Sequence, residues 1–357
     1  MLNIRYEISK TLKTKPDPTT LGFGNYYTDH MFMIDYYEGS GWVDPRIVPY
    51  GPIPFDPACL VLHYAQETFE GLKAFKTKDG LVQLFRPEMN AKRFQTSCER
   101  LGMPILEIED FVQAINDLVK LESDWIPTAE NTSLYIRPFM FAYQAKLGVH
   151  AANHYIFMVI LSPVGSYYKE GLKPVNIYVE DKYVRACEGG TGYTKCGGNY
   201  AVSIKAQMEA ESKGYSQVLW LDAKYNKYIE EVGTMNVMFK INGEIYTSPA
   251  KLGQGTILPG VTRDSMITIL KDRGYIVHEE HFSIDFLIEE AKKGHLEEAF
   301  GTGTAAVISP IGKLCYKDNV FFNTTSVGKL SQELYDTLTG IQKGLLDDKY
   351  NWIKVVK

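Results

Sequence analysis

"EGGTGYTKCGGNY", residues 188–200, sets a single lysine, Lys195, among five glycines. Glycine-rich loops with a lysine beside them commonly cradle phosphate. The phosphate-loop motif, however, needs glycine directly before the lysine and Ser or Thr directly after it. Here Thr194 precedes Lys195 and Cys196 follows, so the hydroxyl that would hold magnesium is missing. A linker fails as well, because linkers run long in Gly, Ser or Pro with little apolar content. This loop lies between "VNIYVEDKYVRA" (175–186), which reads as strand, and "AVSIKAQMEA" (201–210), which reads as helix. A lone lysine is also an ordinary surface charge, so its chemistry depends on what accompanies it elsewhere.

Working outward, the 357 residues are long for one core and suggest two domains. Hydrophobic residues are 45% and charged residues 23%, ordinary for a globular chain. A formal charge of −5 argues against nucleic acid or an anionic membrane as partner. No apolar run approaches the roughly 18 residues that span a bilayer. The segment "MLNIRYEISKTLKTKPDP" (1–18) lacks the apolar core of a signal peptide. Cys59, Cys98, Cys187, Cys196 and Cys315 are scattered and odd in number, which suits a reducing cytoplasm better than a disulfide scaffold. The histidine pairs "HAANH" (His150, His154) and "HEEH" (His278, His281) have no third ligand nearby, so no metal is expected. The 24 tyrosines permit an aromatic-lined pocket.

In the first half, "LVQLFRP" (81–87) reads as a strand, and Pro87 opens a helix stopped by Gly102 and Pro104. "IEDFVQAINDLVKLES" (108–123) has helical apolar spacing. "SLYIRPFMFAY" (133–143) and "YIFMVILSPVG" (155–165) read as buried strands. Periodicity stops in "SPVGSYYKEGLKP" (162–174), which divides a small N-terminal α/β domain (1–165) from a larger one (175–357), with 166–174 between them. In the second half, a helix is expected from about Gly198 to Lys213 and a strand at "SQVLWLD" (216–222). Asn242-Gly243 between alternating runs signals a hairpin. "ILPGVTRDSMITILKDRG" (257–274) reads as a strand end running into a helix, and "SIDFLIEEAKKG" (283–294) as a helix capped by Ser283. "GTGTAAVISP" (301–310) mimics a dinucleotide fingerprint weakly, but Pro310 falls where that motif needs a helix, so a Rossmann domain is rejected.

Three features join the lysine. "LPGVT" (258–262) offers backbone N–H groups at a helix start, an anion site or simply a helix cap. "GTGT" (301–304) adds a glycine turn bearing hydroxyls, and "YIEEVGTMN" (228–236) puts Glu230 and Glu231 on a strand edge, as acids of a site or of a solvated hairpin. A lysine, an acid and a dispersed phosphate site without a nucleotide motif point to pyridoxal phosphate. That cofactor needs a lysine for its aldehyde, a carboxylate for its pyridine nitrogen, and an anchor for its phosphate.

Together with "HYAQETFEGLKAF" (63–75) and "LYIRP" (134–138), these stretches resemble the branched-chain amino acid aminotransferases, pyridoxal phosphate enzymes of fold type IV. The six motifs stand in the family's order, from about residue 15 onward. The resemblance implies a two-domain α/β (α+β) fold like that of D-amino acid aminotransferase, with the cofactor in the interdomain cleft, and a cytoplasmic homodimer. It implies that Lys195 forms the Schiff base and moves the substrate proton. Glu231, which directly precedes "VGT", would pair the pyridine nitrogen, and Tyr200 the ring hydroxyl. Arg93, the backbone of Val261 and Thr262, and Thr304 would hold the phosphate, with Arg185 near this shell and Thr234 also at the cofactor. Phe23, Tyr64, Phe69, Tyr135, Arg137, Tyr167, Thr234 and Ala305 would form the substrate pocket, its aromatic walls suited to leucine, isoleucine or valine. Some family members carry a C-x-x-C pair after "GTGTA"; here those positions are Ala306 and Ser309, which puts a thiol switch in doubt. The expected reaction moves an amino group between those amino acids and 2-oxoglutarate. The rivals are a D-amino acid aminotransferase or aminodeoxychorismate lyase on the same fold, a cofactor-binding protein without turnover, and a nucleotide-dependent enzyme.

Overall fold

The two apolar runs at 133–142 and 154–164 pair antiparallel along their length, from Ser133 opposite Val164 to Ala142 opposite Tyr155. They form the centre of the first of two sheets in the computed structural model, which describes residues 1–165 and 172–356. The chain divides into two units. The N-terminal unit takes the residues up to 165, together with Thr194–Gly197 and the chain from Gly340 onward. The C-terminal unit takes 172–193 and Gly198–Thr339. The glycine loop is therefore split, and the four residues around Lys195 belong with the first unit although the sequence boundary at 165 assigns them to the second domain.

In the N-terminal unit a nine-stranded, almost wholly antiparallel sheet carries the helices Pro87–Arg100 and Ile108–Leu121. Pro87 occupies the first helical turn, where a missing N–H costs nothing. The second helix buries Phe111, Val112, Ile115, Leu118 and Val119, the stripe that a 3.6-residue period places on one face. Phe94 and Phe111 meet Phe157 of the central strand at ring-centroid distances of 5.4 and 5.6 Å, joining helices and sheet in one core.

In the C-terminal unit six strands close into a ring. Ile229–Val232 pairs with Gln217–Leu221 on one side and Met235–Ile241 on the other. The pairing then runs through Val175–Glu180, Val307–Tyr316 and Leu296–Gly303 back to Met235–Ile241. Closure removes the edge on which Glu230 and Glu231 would otherwise meet water. Asn242 and Gly243 take φ of 49° and 82°, the double left-handed turn expected of that dipeptide. Ser283 Oγ accepts the N–H of Phe286 at 3.1 Å and caps the helix Ile284–Lys292.

Two local expectations need correction. The helix expected over 198–213 is two helices, Gly197–Ala201 and Ile204–Ser212, and Ser203 folds its hydroxyl back onto the Tyr200 carbonyl at 2.7 Å where the first ends. The approach to the helix Val261–Asp272 is irregular rather than a strand end, because the N–H of Leu258 goes to a carboxylate instead of a ladder. Among the described residues no helix is long and apolar enough to cross a membrane.

Candidate functional site

In the N-terminal unit the backbone of Lys195 is clamped. Its N–H donates to Ser97 Oγ at 3.0 Å, and its carbonyl accepts from the Phe69 N–H and the Thr68 hydroxyl, each at 3.0 Å. Gly197 N–H donates to Glu67. With the backbone fixed, the Lys195 ammonium lies 4.9 Å from the Phe69 ring centroid. Arg137 sits over the same ring at 4.6 Å and donates to the Tyr135 hydroxyl at 3.1 Å. The two residues share a face because they are two apart on one strand. Tyr135 meets Phe23 edge-on at 4.9 Å. Phe23, Phe69, Tyr135, Arg137 and Lys195 thus come together around one aromatic wall. Among the described residues Arg137 Nε is buried without a hydrogen-bond partner, as is Ser162 Oγ, which stands opposite Tyr135 in the register.

Behind the lysine lies a polar network. Arg93 binds Glu70 through Nε at 2.7 Å and Nη2 at 2.8 Å, and Asn90 donates to the same carboxylate at 2.8 Å. Burial alone would raise the Glu70 carboxyl; Arg93, with Lys195 and Asn90, instead holds it below the usual range. Burial raises the carboxyl of Glu67, against the pull of the Gly197 N–H and the Arg137 charge. Glu67, Glu70, Asn90 and Ser97 carried no role in the sequence reading. Glu67 and Glu70 stood inside a quoted motif, whereas Asn90 and Ser97 have no signal beyond sharing a helix with Arg93.

The Tyr64 hydroxyl accepts the Gly148 N–H at 2.9 Å. Tyr167 lies outside the described residues.

In the C-terminal unit Glu231 is 3% exposed. Its Oε1 accepts from Asn236 Nδ2 at 3.1 Å and from the Leu258 N–H at 2.9 Å, and its Oε2 lies 3.1 Å from Arg185 Nε. Arg185 therefore backs the acid, and its Nη2 also ties the Gly192 and Thr256 carbonyls together. Gly192 passes so close to the Thr256 backbone that a Cβ there would collide with it, which accounts for one glycine of the loop. Asn199 closes the same loop with two bonds to Thr191, at 2.8 and 2.7 Å.

Leu258 draws the start of the helix Val261–Asp272 to Glu231. Gly260 has no side chain to cap this helix, so the first N–H groups, at Val261 and Thr262, form an electropositive end. Asn236 stands opposite both Glu231 and Thr302, which brings in the tight turn at 304–306 holding Thr304 and Ala305. Thr234 is exposed in the turn after Val232, and Tyr200 is half-buried in its short helix. Glu230 points the other way from Glu231. It is 4% exposed, takes the Thr256 hydroxyl on Oε1, and leaves Oε2 without a hydrogen-bond partner. Burial pushes its carboxyl up to about 7; Thr256 and Arg185 pull it down, and Glu231 and Asp222 push it further up. His278 bonds Glu244 at 2.7 Å and stacks on Tyr246. Among the described residues no group of three or more His, Cys, Asp or Glu could hold a metal.

The donor set fits pyridoxal phosphate. One unit offers a constrained lysine beside aromatic rings; the other offers a carboxylate paired with arginine, an open helix start and a hydroxyl-bearing turn. Comparison with known proteins agrees. The family described as amino-transferase class IV matches residues 67–314. The branched-chain-amino-acid aminotransferase 2 of Bacillus subtilis is 54% identical over 350 residues, covering 98% of this chain and 96% of that protein. The T.th. branched-chain amino acid aminotransferase, solved with pyridoxamine 5'-phosphate, superposes with a TM-score of 0.73 at 27% identity, over 91% of this chain and 98% of that one. The same T.th. enzyme complexed with N-(5'-phosphopyridoxyl)-L-glutamate gives 0.71 at 25% identity, over 91% and 98%. The chain belongs to the class IV aminotransferases. Within them it falls among the branched-chain-amino-acid aminotransferases of fold type IV.

Proposed function

We propose that the chain is a branched-chain-amino-acid transaminase, moving the amino group of leucine, isoleucine or valine reversibly to 2-oxoglutarate with pyridoxal phosphate as cofactor. The observation that carries this reading is the meeting of Lys195 with an apolar aromatic wall that holds one arginine. When bound, pyridoxal phosphate supplies an electron sink for charge developing at the substrate Cα. Lys195 would hold the cofactor, and its amine, once free, would move the proton lost from the substrate Cα. Its clamped backbone keeps the amine in reach through the cycle. Glu231 would hold a proton at the pyridine nitrogen, and Arg185 pairs with its carboxylate. Tyr200 would orient the ring hydroxyl, with Thr234 also at the cofactor. The N–H groups of Val261 and Thr262, with Thr304 and Arg93, would anchor the phosphate. Phe23, Phe69, Tyr135 and Ala305, with Tyr64, would take the branched side chain.

Arg137 meets the second carboxylate of glutamate or 2-oxoglutarate. The T.th. enzyme bound to a phosphopyridoxyl-glutamate conjugate supports one pocket for both substrate types. We further place the enzyme in the cytoplasm, in keeping with five free thiols, and, from the family resemblance, as a homodimer. Purified holoenzyme given L-leucine and 2-oxoglutarate should form glutamate, while D-leucine and D-alanine should give none. Turnover of the D-amino acids alone would reassign the chain to the D-amino acid branch.

A further inference from the structure

A second feature of the C-terminal unit has no part in this reading. A cavity of about 720 Å³ opens between the turn at 222–228, the loop at 249–256 and His281. Glu230 lines it, 4% exposed, with Oε2 buried and unpartnered among the described residues. Tyr225, Tyr228 and His281 make one wall, linked edge-to-face at centroid distances of 6.1 and 5.9 Å. The wall is built firmly. Asp222 accepts the backbone N–H groups of Lys224, Tyr225, Lys227 and Tyr228 at 2.7–3.2 Å and so presents both tyrosines.

Three observations say what such a site would take. A buried carboxylate oxygen with no donor calls for a donor, and a charged one best offsets its desolvation. Both tyrosine rings already attract ammonium groups: Lys224 Nζ lies 4.8 Å from the Tyr225 centroid and Lys227 Nζ 5.6 Å from that of Tyr228. Among the described residues the acids are not grouped so as to hold a metal ion. We propose that this cavity binds the primary ammonium group of a small organic molecule, with the ammonium on Glu230 and the carbon chain against the Tyr225 and Tyr228 rings. Simple amines and amino acids share this group. Lys251, exposed and lining the cavity, is where an amino acid would place its carboxylate.

The test is calorimetric titration of the holoenzyme with two probes, 3-methylbutylamine for amines and 2-aminoisobutyrate for amino acids. The second has no Cα hydrogen to lose. Saturable binding of at least one probe is expected, without change in the cofactor's visible spectrum. Glu230→Gln should weaken it about tenfold or more, the effect of losing a hydrogen bond to a charged group. Tyr225→Ala, at a position 62% exposed and so tolerant of change, should weaken it several-fold. If Glu230→Gln does not fold, Tyr225→Ala decides alone. Tighter binding of 2-aminoisobutyrate that is lost in Lys251→Ala assigns the site to amino acids, and binding of the amine alone assigns it to amines. Failure of both probes to bind, or unchanged affinity in either variant, overturns the proposal.

Discussion

Glu70 grips Arg93 with both carboxylate oxygens, 2.7 Å from Nε and 2.8 Å from Nη2, at a position wholly closed to solvent. Removing one partner of such a pair leaves an uncompensated buried charge and costs about 3–5 kcal/mol. Glu70→Gln should therefore lower the unfolding free energy by about that amount, read by thermal or urea unfolding. The pH dependence follows from the lowered carboxyl of Glu70. Its contribution is complete above the unfolded glutamate value of about 4.3 and is lost as pH falls through the lower folded value. Below pH of about 4 the wild type should lose stability more steeply than Glu70→Gln. Parallel acid profiles would show that the pair adds no net stability.

Lys195→Ala should remove the visible absorption of the bound cofactor and nearly all turnover. Ser97→Ala is the finer test, since it deletes only the acceptor of the Lys195 N–H. A net loss of about 0.5–1.5 kcal/mol in positioning corresponds to a rate lowered several-fold with cofactor still bound. Multiple turnover of Lys195→Ala at the wild-type rate would refute the assignment of the lysine.

Glu231→Gln should keep the cofactor and slow the proton-transfer half-reaction roughly a hundredfold, because a neutral amide no longer matches the charge on the pyridine nitrogen. It should also leave Arg185 without its counter-charge, so Arg185→Met should lower activity in the same direction. Single-turnover rates with leucine would measure both. Should Glu230→Gln slow that half-reaction as much while Glu231→Gln does nothing, the carboxylates have been assigned the wrong way round.

Arg137 differs from the surrounding wall in chemistry alone, a charge resting on Phe69 with one bond to Tyr135. Losing a charge-assisted hydrogen bond costs about 1.5–3 kcal/mol, or roughly tenfold to over a hundredfold. Arg137→Met should slow the glutamate half-reaction by that factor and the leucine half-reaction much less. Equal losses for the two amino acids would mean that Arg137 supports the wall and does not select the dicarboxylate.

Much of this protein was legible locally. Helices at 87–100 and 108–121, the Asn242-Gly243 turn and the Ser283 cap follow from period, punctuation and capping, which act over a few residues. The motif set carried the family, because a lysine in a glycine loop, an acid before "VGT" and an uncapped helix start are each contiguous in sequence. What the chain alone left open is set by pairing over long distances. "YIEEVGTMN" reads equally as a site or a solvated hairpin; closure of six strands buries both glutamates, and alternation along the strand sends them to opposite sides. The pairing of Arg185 with Glu231 was not legible in the sequence; in the fold, a buried carboxylate draws an opposite charge from 46 residues away. Lys195 joins the N-terminal unit through Thr68, Phe69 and Ser97, roughly a hundred or more residues away in the chain, because their hydrogen bonds satisfy its backbone in a loop that forms no ladder of its own.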